Sequence, residues 1–96
     1  MGARENKVER HLDNGVKALG GLTRKWVSPG RDGVPDRVVI LKGLIWFVEV
    51  KTIDGVLSSA QKREHDRLRQ VGAVVETVYG EGGVDLLLRK MQHAAY

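Results

Sequence analysis

Apolar side chains recur with a helical period near the start of the chain. Four of them fall within about 80° of one another on a helical wheel: Val8, Leu12, Val16 and Leu19. This spacing predicts a helix from Arg4 to Leu19, which the glycines at 20–21 end. Glu5 and Glu9 flank the apolar stripe of that helix and do not lie on its opposite, solvated face.

Farther along, short apolar and β-branched runs bounded by glycine or proline predict strands. Four such runs are present: Leu22–Ser28, Arg37–Leu41, Leu44–Lys51 and Ala73–Tyr79. The turn at Lys42-Gly43 joins the second run to the third as a hairpin. Both prolines of the chain lie between residues 29 and 36, together with two glycines, so we expect a loop there.

Two more helices complete the predicted order: Ser58–Val71 and Val84–His93. A turn at residues 80–83 is expected to precede the last helix. The order is helix, three strands, helix, strand, helix, which indicates one α/β or α+β unit. With 96 residues and neither a linker nor a repeat, the chain is expected to form a single domain over residues 1–96.

Composition narrows the chemistry that such a domain can perform. There is no cysteine, which excludes disulfides, thiolate zinc sites and a thiol nucleophile. Hydrophobic residues make up 42% and charged residues 29%, as in a folded domain rather than a disordered tail. The formal net charge of +4 suits a polyanionic partner, although a charge of this size decides nothing alone.

The sequence shows no membrane or secretion signal. No apolar run approaches the roughly 20 residues that a membrane span requires, and the charged first ten residues do not resemble a secretory signal. The histidines, at 11, 65 and 93, lack the spacing of a zinc motif, and the glycines at 80–83 lack the lysine of a phosphate-binding loop. We therefore expect a cytoplasmic protein without a membrane partner.

The strongest candidate for chemistry is the segment 47–51, Phe-Val-Glu-Val-Lys. Glu49 and Lys51 share one face of the predicted strand, but an isolated pair of this kind is usually solvated and worth roughly a few tenths of a kcal/mol. Asp36 alone would be interpreted as an Asx turn. It stands just before the strand that pairs with the Glu49 strand, however, so the hairpin brings two carboxylates and a lysine together. Two carboxylates and the Val50 carbonyl are oxygen ligands of the kind that Mg²⁺ accepts.

In this order the motifs are similar to those of the PD-(D/E)XK nuclease superfamily, with Pro35-Asp36 and Glu49-Val50-Lys51 as the two parts. More narrowly, three segments resemble the VRR-NUC family in its small stand-alone phage form: Gly33–Arg37, Phe47–Thr52 and Leu57–Gln61. The resemblance extends from the first helix to about Gly72. It implies a restriction-endonuclease-like αβββαβ core, with a mixed sheet flanked by helices.

The resemblance also implies roles for single residues. Asp36 and Glu49 are expected to bind metal, Val50 to lend its carbonyl as a further ligand, and Lys51 to be the catalytic lysine. The superfamily often adds a glutamate from the first helix, and in this sequence either Glu5 or Glu9 could be that residue. Mg²⁺ or Mn²⁺ is the expected ion.

Two assignments stay open. The helix offers both Glu5 and Glu9, and we favour Glu9 as the catalytic and metal-binding residue, because its distance to Gly20 resembles the spacing in related junction resolvases. Ser58 and Gln61 form the pattern of a capping box, which explains both residues without catalysis. The family instead places this glutamine in the active site, and the two roles do not exclude each other.

Basic and aromatic residues offer weaker signals. One set lies near the expected site and could contact phosphate: Arg24, Lys25, Arg31 and Arg37. A second set on the middle helix is either a solvated face or a DNA contact: Lys62, Arg63, Arg67 and Arg69. Trp26 and Trp46 are expected in the core or an interface rather than stacked on bases.

Together these features predict a divalent-metal-dependent DNA endonuclease. Small phage members of the family resemble structure-specific nucleases, so branched DNA such as a four-way Holliday junction is the expected substrate. A junction needs two symmetric cuts and this short chain offers one site, so we expect a homodimer. The alternatives are a less selective flap, duplex or nicking nuclease, and a DNA-binding module without activity. If a phage encodes the protein, it would act in the cytoplasm of the host.

Overall fold

Three helices and four strands make up residues 3–94, the part of the chain that the computed structural model describes. In chain order they are α1 (Ala3–Ala18), β1 (Leu22–Lys25), β2 (Arg37–Leu41), β3 (Leu44–Lys51), α2 (Ser59–Gln70), β4 (Val75–Tyr79) and α3 (Gly80–Gln92). The order agrees with the prediction. Residues 1–2 and 95–96 of the expected domain lie outside the described residues. None of the helices within residues 3–94 combines the length and the apolarity that a membrane crossing requires.

The strands form one mixed sheet in the order β1-β2-β3-β4. β1, β2 and β3 are antiparallel neighbours, whereas β4 runs parallel to β3 after the crossover through α2. The hairpin between β2 and β3 turns through Lys42 and Gly43, both with positive φ (54° and 80°). Such two-residue turns match the twist of the strands that they join. This mixed α+β arrangement confirms the predicted fold class.

The core lies between one face of the sheet and the helices α1 and α3. Trp46, Val48 and Val50 alternate along β3, so that all three side chains point to this face and are buried. They meet the apolar stripe that the sequence predicts on α1, of which Val8, Leu12 and Val16 are buried. The intervening β3 residues therefore point to the opposite face, which α2 covers. The functional side chains of β3 lie on this α2 side.

Three predicted boundaries are wrong. β4 begins at Val75 rather than Ala73. β1 ends at Lys25 rather than Ser28. Trp26 still donates its backbone N–H to the Asp36 carbonyl (2.9 Å), but Ser28 accepts a hydrogen bond from the Arg31 N–H (3.1 Å) as the chain turns away. The change to turn geometry ends the strand before the prolines.

The predicted turn at residues 80–83 is also wrong, because these residues form the first turn of α3. Glycine favours turns by local propensity, but tertiary packing overrides that preference here. Val84 and Leu87, which follow in the same helix, are buried in the core, so packing holds this segment in helical form. Glu81 in this first turn is also favourable at the positive end of the helix dipole.

Candidate active site

Asp36 and Glu49 meet where the hairpin of β2 and β3 opens. Arg37 pairs with Val48 across the hairpin, so Asp36, one residue earlier, stands opposite Glu49. β3 continues past the first residue of β2, which leaves the Val50 N–H without a partner in that strand. The Asp36 carboxylate accepts this hydrogen bond, with Oδ2 2.8 Å from the Val50 nitrogen. The backbone of β3 thus holds Asp36 beside Glu49.

Glu49 is buried, with 2% of its surface exposed, and polar groups surround its two oxygens. Oε2 lies 3.2 Å from the Gln61 amide nitrogen and 3.8 Å from the Lys51 Nζ. Oε1 lies 3.6 Å from Nε2 of His65. Burial, together with the charge of Asp36 and a hydrogen bond to it, raises the pKa of Glu49 to about 8, against the lowering effect of Lys51. Without a bound cation, Glu49 therefore carries a proton at neutral pH.

Gln61 makes both of the contacts that the sequence left open. Its backbone N–H donates to the Ser58 hydroxyl (3.1 Å), and its side-chain oxygen accepts from the Ser58 N–H (2.9 Å), which completes a capping box. Its side-chain nitrogen donates to Glu49. The cap fixes the amide oxygen, so the amide nitrogen is held toward the sheet.

Glu9 enters this region from α1 and is also buried (5% exposed). Its Oε1 lies 3.4 Å from the Arg37 Nε, and Arg37 also pairs with Asp13 at 3.0 Å. Burial raises the pKa of Glu9, Arg37 opposes that rise, and the charge of Asp36 adds to it. Glu9 is therefore close enough to Asp36 for their charges to interact. Glu5 is half-buried, and its charge contributes to the raised pKa of Glu49.

Two arginines that were expected to contact phosphate, Arg37 and Arg69, form contacts within the fold. Arg37 is only 17% exposed and is held by its two carboxylate partners on α1. Arg69 donates to the Val75 carbonyl at 3.0 Å and pairs with Asp66 at 3.3 Å. Arg37 is therefore engaged within the fold, whereas Arg69 links α2 to β4 through Val75 and remains partly exposed, with 46% of its side chain accessible. Trp46 is buried in the core, as expected, and Trp26 contacts Phe47 with 5.1 Å between the ring centroids.

A cleft beside the N-terminal half of α2 retains free positive charge. Its volume is about 180 Å³, and six residues line it: Gly30, Arg31, Asp32, Ala60, Arg63 and Arg67. Within residues 3–94 neither Arg31 nor Arg63 forms an ion pair, whereas Arg67 pairs with Glu64 at 2.7 Å. The loop and the helix are in close contact, because an added Cβ on Gly33 would lie 2.4 Å from the Ala60 carbonyl oxygen. The cleft thus flanks the helix that carries Gln61.

His65 belongs to the site, although the sequence reasoning treated it only as a histidine without a zinc motif. It is fully buried, and burial, followed by the charge of Arg69, lowers its pKa. A signal was available in the sequence, because His65 follows Gln61 by four residues and so lies on the same face of the helix. Any helix that directs Gln61 to Glu49 also directs His65 there.

The donor set suits a hard cation with few protein ligands. Among residues 3–94 no group of three or more histidine and carboxylate side chains is arranged to hold a metal ion. Mg²⁺ does not need such a cage, because it keeps several waters and takes one or two carboxylates from the protein. Asp36 and Glu49 supply those, and a cation between them would relieve the repulsion of their two charges. The residues present therefore fit the divalent metals that nucleases of this fold generally use.

A mixed sheet flanked by helices, with two acids and a lysine at the end of its central hairpin, defines a restriction-endonuclease-like nuclease. A solved VRR_NUC domain is 41% identical, with a TM-score of 0.86 over 98% of this chain and 100% of that one. "Putative nuclease p44" of Acyrthosiphon pisum secondary endosymbiont phage 1 is 49% identical over 70 residues, which are 72% of this chain and 75% of that protein. The chain belongs to the VRR-NUC family and is an endonuclease of that type.

A second solved structure shares the fold. The solved structure of Hjc, a Holliday junction resolvase from Archaeoglobus fulgidus, has a TM-score of 0.58 over 78% of this chain and 67% of that one. At 20% identity, this likeness concerns the fold alone. No protein-family model matches the sequence.

Proposed function

We propose that the protein is a DNA endonuclease that depends on Mg²⁺ or Mn²⁺ and cuts branched DNA such as four-way junctions. The observation that carries this proposal is the contact between two carboxyl groups, Asp36 and Glu49, beside Lys51 at the open end of the β2–β3 hairpin. Two acids held together in a buried position raise each other's free energy unless a cation or a proton lies between them. A phosphodiester substrate brings its own negative charge to such a cation.

Asp36, Glu49 and the backbone carbonyl of Val50 would hold the metal ion. In an extended strand the N–H and C=O of one residue point to the same side. The Val50 N–H donates to Asp36, so its carbonyl is turned toward the same edge. When bound, the ion would lower the pKa of a coordinated water and stabilise the charge that develops on the phosphate oxygens.

Lys51 and Gln61 would act on the reacting groups beside these ligands. Lys51, whose side chain is 13% exposed, would orient the attacking water with its ammonium group and offset negative charge in the transition state. The Gln61 amide, fixed by the helix cap, would keep Glu49 in place and donate a hydrogen bond into the site. The proposal includes Glu9 as a further carboxylate that acts from α1 through its position near Asp36.

Support for a DNA substrate comes from the basic cleft beside α2 and from the neighbours. Arg31 and Arg63 offer guanidinium groups without partners in the described part of the chain, next to the helix that carries Gln61. Guanidinium groups bind phosphate oxygens in pairs of hydrogen bonds. Branched DNA is proposed because the fold is that of a Holliday junction resolvase, and because a phage nuclease is a relative.

We further propose that residues 1–96 form one nuclease domain that works as a homodimer in the cytoplasm, the host's if a phage encodes it. Two symmetric cuts in a junction need two active sites related by a two-fold axis. An exposed apolar groove along β4 and α3, which Ile53, Tyr79 and Leu86 help to line, supports the association of two copies.

The test is a cleavage assay with Asp36→Asn and Lys51→Met on three substrates: a four-way junction, a flap and a plain duplex. Each is incubated with Mg²⁺, Mn²⁺ or EDTA. We expect either variant to lose at least about a hundredfold in cleavage rate, because Asp36→Asn weakens the proposed metal site and Lys51→Met removes a positive charge that would offset the transition-state charge. Asp85→Asn on α3 and Lys17→Met on α1, both at exposed positions away from the candidate site, serve as matched controls and should cut like the wild type.

The same assay separates the alternatives. Equal cutting of all three substrates indicates an unselective nuclease, and binding without cutting in either metal indicates a DNA-binding module. Glu9→Gln and Glu5→Gln extend the panel, and the variant that needs more Mg²⁺ for half-maximal rate identifies the glutamate that serves the site. Full metal-dependent cleavage by Asp36→Asn would overturn the mechanism.

A further inference from the structure

His65 buries two polar ring nitrogens that the packing of the fold does not require. It lies on α2 and is completely buried, and neither ring nitrogen makes a hydrogen bond of good geometry, although the ring lies near the Gly33 backbone carbonyl and Glu49 Oε1. Buried polar atoms are nearly always paired, so exceptions in a native protein need an explanation. A leucine would fill a similar volume at this helical position without burying two polar nitrogens. Packing alone therefore does not account for a histidine here.

Glu49 has a matching unpaired atom that faces this ring. Oε2 receives the Gln61 amide at 3.2 Å and lies 3.8 Å from the Lys51 ammonium. Oε1 has no hydrogen bond, and Nε2 of His65 is 3.6 Å away from it. Gln61 and Lys51 thus approach Oε2, while His65 is the group that lies beside Oε1.

The backbone carbonyl of Gly33 offers the ring a second hydrogen-bond acceptor. A neutral imidazole carries one N–H, so it cannot donate to both acceptors at once. An ionised carboxylate is the stronger acceptor, because hydrogen bonds to a charged group are roughly twice as strong as neutral ones. Once a cation holds Glu49 in its ionised form, the His65 N–H is therefore best placed on Oε1.

We propose that His65 is a positioning residue, which donates its Nε2–H to Glu49 Oε1 and thereby fixes the rotation of the carboxylate that binds the metal ion. The inference rests on the proposed metal-dependent function. With His65 on one oxygen and Gln61 on the other, the carboxylate plane cannot turn. Groups of this kind behind a metal ligand typically change metal affinity by about 10–100-fold when removed.

The test measures Mn²⁺ binding to the free protein by calorimetry, for the wild type, His65→Leu and His65→Gln. We expect His65→Leu to fold with an unchanged or higher Tm but to bind Mn²⁺ about tenfold or more weakly. Gln carries an amide nitrogen close to the position of Nε2, so His65→Gln should return to within about threefold of the wild type. His93→Leu, at an exposed position after α3, is the matched control and should bind normally.

The outcomes separate this inference from the function on which it rests. Unchanged Mn²⁺ binding by a folded His65→Leu would overturn the role of His65, and so would a folded His65→Gln that binds as weakly as His65→Leu. If His65→Leu does not fold, the comparison of His65→Gln with His65→Met in the same assay decides the question. A wild type that neither binds Mn²⁺ nor cuts DNA would instead refute the proposed function. DNA binding in EDTA should be equal for the wild type and all folded variants, because His65 does not reach the surface.

Discussion

Glu49 is the residue at which the chemistry of the site opposes the stability of the fold. Its folded-state pKa of about 8 lies above its ordinary value of 4.5, chiefly because the carboxyl group is buried. Between these two pH values the folded chain binds a proton that the unfolded chain has released. Stability therefore falls as pH rises through this interval, and it is fully present only below about pH 4.5.

We predict that the metal-free protein loses stability by a few kcal/mol between about pH 5 and pH 8, since each unit of pKa shift corresponds to about 1.4 kcal/mol. Urea unfolding in EDTA at several pH values measures the slope. Glu49→Gln, which cannot ionise, should flatten the slope and be more stable than the wild type at pH 8. Saturating Mg²⁺ should reverse the trend, because the ion binds the ionised form. Equal slopes in the wild type and Glu49→Gln would contradict the assignment.

At the scale of the elements, the loop between β1 and β2 determines where Asp36 stands. Gly33 in this loop has φ of +89°, and its missing side chain allows contact with the first turn of α2. An added Cβ would meet the backbone of Ala60 and the Gln61 nitrogen, at 2.4 Å and 3.0 Å for the nearest atoms. Backbone atoms cannot move aside as a flexible side chain can. The contact therefore links the loop that carries Asp36 to the helix that carries Gln61.

Gly30 offers a matched control for this contact. It has φ of +79° in the same loop, but nothing lies within 4 Å of its ideal Cβ. Gly30→Ala should cost about 1 kcal/mol, the strain of a left-handed alanine. Gly33→Ala adds the steric clash to the same strain, so we predict a loss of more than about 2 kcal/mol and slower cleavage. Urea unfolding of both variants is the measurement, and equal losses would show that the loop does not depend on this contact.

Sequence patterns predicted the elements around the site better than the contacts within it. The hairpin followed from the Lys42-Gly43 turn and the alternation in β3, and its register placed Asp36 opposite Glu49. The partners of Arg37 did not follow, because they depend on how α1 crosses the sheet. Local patterns carry no information on such crossings. His65 was missed even though its four-residue spacing from Gln61 places both side chains on one face of α2, because the contact of that face with Glu49 is seen only in the structure.

At the scale of the whole molecule, the net charge of +4 understates the charge that DNA would meet. Several basic residues are paired within the fold, while the cleft beside α2 keeps Arg31 and Arg63 free within residues 3–94. We predict that Arg63→Ala weakens DNA binding in EDTA and lowers the slope of log affinity against log salt by about one. Fluorescence anisotropy at several salt concentrations measures it. Arg89→Ala on α3, across the sheet, is the control, and an equal effect of both would contradict a role of this cleft.

The proposed homodimer needs a surface on which two copies of the chain can meet. β4 is an edge strand of the sheet, and the groove of about 570 Å³ between it and α3 exposes apolar side chains, with Ile53 71% and Leu86 62% exposed. A patch of this kind is costly in water and typically marks an interface. A second copy of the chain is the proposed occupant, because the proposed junction substrate would require two symmetric cuts.

We predict that Leu86→Glu converts a dimer to a monomer, because a buried charge without a partner opposes association. Val71→Glu, at an 84% exposed position at the end of α2, is the matched control and should remain dimeric. Sedimentation velocity at the concentration of the cleavage assay measures the state. The monomeric variant should still fold and slowly cut one junction strand at a time, since Asp36 and Lys51 lie elsewhere. It should lose the coordinated cutting of both junction strands. A wild type that sediments as a monomer while cutting both strands together would show that the second site is not needed.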